Sequence, residues 1–225
     1  MTDSIFLVQS GTLKRMQNTP YAKEEILQQL VATFPDVLAG ELVDPNEPRR
    51  WLLIGREIGV PDREEGGDRW SLDHLFVDQD GVPTLVETKR ASDTRLRREV
   101  VSQMLDYAAN GSALWSIEKM IARFEARCRA ESLEPTEVLT SFLGGQSNVD
   151  SFWSVVKTNL QAGRLRLLFV ADEIPPPLAR IIEFLNGQMD PAEVLGVELR
   201  QYLADGIQTI VPTLVGRTAI AEVRK

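Results

Sequence analysis

Within Ser71–Arg90, SLDHLFVDQDGVPTLVETKR, three groups able to do metal or proton chemistry sit inside two short apolar runs. Asp73 lies in the first run, and Glu87 and Lys89 lie in the second. Side chains alternate faces along a strand, so Asp73, Leu75 and Val77 share a face, as do Leu85, Glu87 and Lys89. The turn decides whether these are the same face. A three-residue loop, Gln79-Asp80-Gly81, pairs Asp78 with Val82 and Phe76 with Thr84, and sets Asp73 opposite Glu87. It puts Gly81 at the left-handed position of a bulge, where glycine is favoured. A two-residue loop, Asp80-Gly81, sets Asp73 opposite Thr88 and separates the charged faces. The residues leave both registers open, and the three-residue loop is the expected one.

In that register two carboxylates stand about 5 Å apart, which is destabilising unless positive charge offsets them. Lys89 is one such partner. A divalent cation is a better one, because Mg²⁺ favours one or two carboxylates together with waters and phosphate oxygens. Taken alone, a Glu-x-Lys pair reads as a surface ion pair worth under ~1 kcal/mol. The flanking Phe76, Leu85 and Val86 argue instead for an interior strand, where charges are paired or bound to metal.

Other chemistries are poorly served. The single histidine, His74, excludes a histidine-rich metal site, and the single cysteine, Cys128, excludes an internal disulfide framework and cysteine-based zinc sites. There is no glycine-rich phosphate loop. The net charge of −8 argues against unspecific coating of nucleic acid, but not against a local basic patch. The first residues open acidic and Ile5–Val8 is too short for a signal peptide, and no apolar run reaches the ~18–20 residues of a membrane span. A cytoplasmic protein is the expectation.

The elements that must position these residues follow from patterning. Ile5–Val8 is a short strand candidate. A helix is expected from about residue 20, with Thr19 as cap and Pro20 in its first turn, and Ile26, Leu27, Leu30, Val31 and Phe34 as its stripe. Trp51–Ile58 is a strand, and residues 59–70 are a polar loop. After the hairpin, SDTRLRREVVSQMLDYAAN is a strong helix. Its first turns carry Arg95, Arg97 and Arg98, where cations oppose the helix dipole. With Lys89 and Arg90 they make a local anion site, or else they pair with Asp93 and Glu99. Gln103 and Tyr107, spaced i and i+4, share an inward stripe with Leu96 and Val100 and there need hydrogen-bond partners, or else Tyr107 is a core residue with an exposed hydroxyl and Gln103 lies at the rim. Within 111–162 a further helix, ALWSIEKMIARFEARCRAE, and two shorter ones, PTEVLTSFLGG and DSFWSVVKTNLQAG, are expected, then a buried strand, Arg164–Ala171. A proline-led helix and two strands joined by ADG complete the chain. A single α/β domain over 1–225 is expected, with its core near 20–110 and 164–171. A helical insert near 111–162 and a helix-strand-strand extension near 174–216 are added to it.

Asp73, then Glu87-Thr88-Lys89, then Gln103-x-x-x-Tyr107 together resemble the motifs of the PD-(D/E)xK nuclease superfamily. The last element is similar to that of its RecB-like and archaeal-repair-type branch. The resemblance covers roughly residues 20–110 and 164–171. Leu72 stands where the proline of the name would be. The resemblance implies a restriction-endonuclease-like core of helix, three-stranded antiparallel meander, helix and strand. It implies Mg²⁺ or Mn²⁺ held by Asp73, Glu87 and the Thr88 carbonyl, with Glu24, or failing that Glu25, supplied by the first helix. Lys89 would assist water attack, while Gln103 and Tyr107 would orient substrate. Arg90, Arg95, Arg97 and Arg98 would meet phosphates. Nucleic acid, DNA above RNA, is the implied partner, and a homodimer would supply the two sites that paired cuts need. The rival expectation is an idle nuclease-like fold that binds nucleic acid or protein.

Overall fold

The computed structural model describes residues 4–61, 68–93, 99–145 and 149–217, with backbone only at 61, 68–70 and 150. The chain opens with a hairpin, β1 (Ser4–Gln9) and β2 (Thr12–Asn18). Helix α1 (Glu24–Thr33), a 3-10 turn (Pro35–Leu38) and the short α2 (Gly40–Val43) follow. Next come β3 (Leu52–Pro61), β4 (Asp68–Val77) and β5 (Pro83–Lys89). Four helices follow: α3 (Glu99–Leu114), α4 (Ile117–Ala130), α5 (Pro135–Phe142) and α6 (Val149–Gln161). The last described elements are β6 (Arg166–Ala171), α7 (Pro176–Gln188), β7 (Glu193–Ala204) and β8 (Ile207–Val215).

The strands form one open mixed sheet in the order β1-β2-β7-β6-β5-β4-β3, with β8 on the other edge of β7. β3, β4 and β5 are mutually antiparallel, whereas β5, β6 and β7 run parallel. β8 lines one side of β7 from Gly196 to Ala204, so β6 and β2 share the other side. β5 and β6 are buried along almost their whole length, as strands covered on both faces must be. Leu85 and Leu167 face a core built with Met104 of α3, Phe124 of α4, Val156 of α6 and Ile182 of α7. Val86 and Leu168 face a second core built with Leu27 and Val31 of α1. The sheet is thus a filling between α1 on one side and the remaining long helices on the other.

The turn between β4 and β5 takes the three-residue form. Phe76 pairs with Thr84, and the Asp78 and Val82 backbones bond at 3.2 Å. Gly81 has φ +72°, and a Cβ there would lie 3.0–3.1 Å from Val155 and Val156, so both conformation and space require glycine.

Three expectations need correction. The first helix begins at Glu24, with Lys23 rather than Thr19 before it, and Pro20 lies outside it. The Thr19 N–H is taken by the Gln201 carbonyl of β7 at 2.9 Å, and Tyr21 is buried, so tertiary contacts hold this stretch extended. The loop expected at 59–70 is strand at both ends, because β3 runs to Pro61 and β4 starts at Asp68; residues 62–67 lie outside the described residues. The helix of Gln103 and Tyr107 runs on to Leu114, and α4 starts only at Ile117, where the Ser116 hydroxyl accepts the Lys119 N–H.

Candidate active site

The pairing of β4 with β5 stops at His74–Val86, one step short of Asp73 and Glu87. β4 continues against β3, and β5 continues against β6 as far as Lys89–Ala171. The two strands therefore part where the acidic residues sit. Asp73 spans the gap: its Oδ2 accepts the Thr88 N–H at 2.8 Å and the Thr88 hydroxyl at 2.7 Å. A side chain thus occupies the place of a ladder carbonyl, which keeps the Thr88 N–H satisfied.

Lys89 sits at the centre of a carboxylate group. Its Nζ donates to Glu87 Oε1 at 3.0 Å, to Glu24 Oε1 at 3.1 Å and to the Thr88 carbonyl at 3.0 Å. All three ammonium donors are thereby used. Burial disfavours its charge, but Glu87, Asp73 and Glu24 outweigh this and hold its pKa well above the usual lysine value. Glu24 is thus the α1 residue at the site, while Glu25 faces away and pairs with Arg56 at 3.3 Å. Glu87 is only 4 % exposed, and its Oε2 is buried with no hydrogen-bond partner. Burial pushes its carboxyl up to about 7; Asp73 adds to the rise and Lys89 opposes it.

That orphaned oxygen makes a pH prediction. A carboxyl whose pKa is higher folded than unfolded contributes stability below its unfolded value, near 4.5, and loses it as pH rises through about 7. Thermal denaturation of wild type and Glu87→Gln should therefore converge at pH 5. By pH 8 the variant should be more stable by roughly 2–3 kcal/mol in chelator. Mn²⁺ should narrow that gap by stabilising the wild type alone. A gap that stays constant from pH 5 to 8 would refute the assignment.

The remaining predicted residues divide. Tyr107 is buried and its hydroxyl donates to the Ser71 carbonyl at 3.0 Å, so it braces β4 beside Asp73 rather than facing substrate. Burial raises its pKa, which keeps that hydroxyl a donor. Gln103 is half-buried and lines an open cavity of about 230 Å³ with Glu24, Lys89, Asp93, Glu99 and Val100. Arg90 donates to the Ala22 carbonyl at 3.1 Å, just ahead of α1. Arg95, Arg97 and Arg98 lie outside the described residues.

Patterning missed the role of His74. It is fully buried on the α1 side of β4, stacks on Phe76, and lies 2.9 Å from the Gln28 carbonyl through Nε2. Burial lowers its pKa to about 4, so at neutral pH Nε2 carries the proton and donates. The bond clamps α1, which carries Glu24, to the strand that carries Asp73. A lone histidine sharing its strand face with the apolar Leu72 and Phe76 was the one available signal.

Among the described residues no group of three or more histidine, cysteine, aspartate or glutamate side chains is placed to hold a metal ion. The donors that converge are fewer: Asp73, Glu87 and the Thr88 carbonyl. Such a set fits Mg²⁺, which keeps several waters and needs only one or two carboxylates. Glu87 Oε2 is the oxygen a cation would satisfy.

Fold and site together define a mixed α/β protein with an open multi-stranded sheet and a carboxylate-lysine cluster at the parting of two strands. No family model, no curated protein and no solved structure matches the chain. Among the described residues no single helix is long and apolar enough to cross a membrane.

Proposed function

We propose that the chain is a metal-dependent nuclease that hydrolyses phosphodiester bonds, with DNA the favoured substrate, on a restriction-endonuclease-like core. One observation carries this reading: Asp73, Glu87, Lys89 and Glu24 converge where β4 and β5 part. The order α1, antiparallel β3-β4-β5, α3 and parallel β6 supports it, with α4–α6 as the insert and α7-β7-β8 as the extension.

Asp73 and Glu87 would hold Mg²⁺ or Mn²⁺. Such an ion, when bound, acidifies water and offers Lewis-acid charge to a phosphate. Lys89, kept protonated by its carboxylate neighbours, would offset charge building on the phosphate, and would position water only by giving up one of its three acceptors. Glu24 aims the Lys89 ammonium. Tyr107 and His74 fix the strand and helix that carry the acids.

Plasmid, single-stranded DNA and RNA incubated with Mg²⁺ or Mn²⁺ test this. Wild type is expected to cut at least one of them, and chelator or Asp73→Asn to stop the cutting. A second reading is an idle nuclease-like fold that binds nucleic acid or protein. It is favoured by the way Asp73 is spent on Thr88 and Lys89 on three acceptors. Titration calorimetry decides between them, since the idle fold predicts no Mn²⁺ binding that depends on Asp73 and Glu87.

A further inference from the structure

A second concave surface lies beside the site, at the β3 edge of the sheet. It is a groove of about 690 Å³ between α1 and α4, lined by Arg56, Arg123, Arg127 and Glu131. Gln29 and Leu53 form part of its floor. Arg56 pairs with Glu25 and Arg127 with Glu131, so three guanidinium groups against these two carboxylates leave a local excess of positive charge on a protein of net charge −8. The arginines are pre-oriented. Arg123 donates to the Glu57 carbonyl of β3 at 3.0 Å, Arg56 to Gln29 of α1 at 2.7 Å, and Arg127 lies over the Phe124 ring. The Arg127 Nε is buried with no hydrogen-bond partner. Each guanidinium has five donors and these contacts use only some of them.

The groove and the candidate site meet at the first turn of α1. Arg56 pairs with His74 across β3 and β4 on the α1 side of the sheet, whereas Asp73, the next residue of β4, points to the opposite face. On α1, Glu25 binds Arg56 while the adjacent Glu24 binds Lys89. A chain of phosphates leaving Lys89 around that turn would meet Arg56 first, and then Arg123 and Arg127.

We infer that this arginine groove binds the phosphate backbone of one nucleic-acid strand and leads it to the cluster at Asp73, Glu87 and Lys89. The inference rests on the nuclease reading for the identity of the ligand. Guanidinium forks match phosphate oxygens, and the groove is too small to enclose a duplex.

The test is fluorescence anisotropy of a labelled single-stranded oligonucleotide, its duplex and its RNA equivalent, over a salt series in chelator. Arg56→Gln/Arg127→Gln should weaken single-strand binding about tenfold and flatten the salt dependence by roughly 1.4 log units per log unit of salt. Glu131→Gln is half-exposed at the groove rim and should tighten binding. This opposite sign guards against a mere folding defect. Excess inorganic pyrophosphate separates a strand track from a simple anion pocket: full competition at millimolar levels overturns the proposal, and weak competition supports it. Duplex bound as tightly as single strand, or variants that bind like wild type, also overturn it. Wild type that cuts nucleic acid while these variants bind normally refutes the groove and leaves the nuclease. Groove-dependent binding without any cleavage refutes the nuclease and leaves the groove.

Discussion

Lys89→Met is expected to lower cleavage roughly 10²–10³-fold while Mn²⁺ binding persists, since the two carboxylates remain. The split matters because Lys89 has two jobs. Its ammonium holds Glu24, Glu87 and the Thr88 carbonyl within 3.1 Å, and it is the cation nearest the proposed reacting phosphate. Loss of the first job shows as stability that falls with rising pH, because Glu87 is then buried with Asp73 and without its counter-charge. Loss of the second shows as a lower turnover number with little change in KM. Lys89→Arg keeps the charge but not the compact point geometry, and should recover stability better than rate. If Lys89→Met cuts as wild type does, the catalytic assignment is wrong, whatever happens to stability.

Arg166→Met is expected to cost about 3–5 kcal/mol, the usual cost of removing one partner of a buried ion pair. Arg166 and Asp78 are 4 % and 0 % exposed, and they meet at 3.1 Å. The same guanidinium reaches Thr84 at 3.2 Å and Glu193 at 2.7 Å, and covers the Trp51 ring. It therefore ties the β4–β5 turn, the start of β6 and the start of β7 together. For a chain of this size the melting temperature should fall by about 10 °C. Asp78→Asn in the same chain should return part of the loss, because the uncompensated charge goes while the turn bonds to Asp80 and Val82 can persist. The Thr84–Arg166 pair is five residues from Lys89–Ala171, or about 16 Å along the strands. Mn²⁺ binding below the melting point should therefore be unchanged. A loss under 1 kcal/mol would show that the pair is not the tie it resembles.

The hairpin was legible in the sequence because its information is local. Gly81 permits one loop length cheaply, and that loop sets Phe76 on Thr84. The buried β6 and the proline-led α7 were legible for similar reasons, through an unbroken apolar run and a stiff first turn. What stayed hidden depends on distant partners. β2 buries only Met16 fully, so TLKRMQN carries no strand signal apart from the β1 and β7 that flank it. Thr19 and Pro20 have the local chemistry of a helix start, but pairing with β7 overrides it. The site was legible as a set of residues and less so as an arrangement. No pattern tells that the ladder stops at His74–Val86, that Asp73 bonds Thr88, or that Tyr107 serves Ser71. The choice between Glu24 and Glu25 turns on where α1 begins, and that start was misplaced by four residues.

The sharing of one β7 edge between β6 and β2 bears on how the chain is made. Gln201 of β7 bonds Thr19, 182 residues away, through its side-chain amide. At ribosomal speeds of ~5–20 residues per second, the first hairpin waits roughly 10–40 s for the strand that receives it. The hairpin is thus made long before the strand on which it docks. Through that interval Phe6, Val8 and Leu13, exposed even in the finished fold, stand on an unanchored two-stranded ribbon. Chaperone dependence during synthesis should accordingly concentrate on the β1–β2 hairpin rather than on β4 and β5.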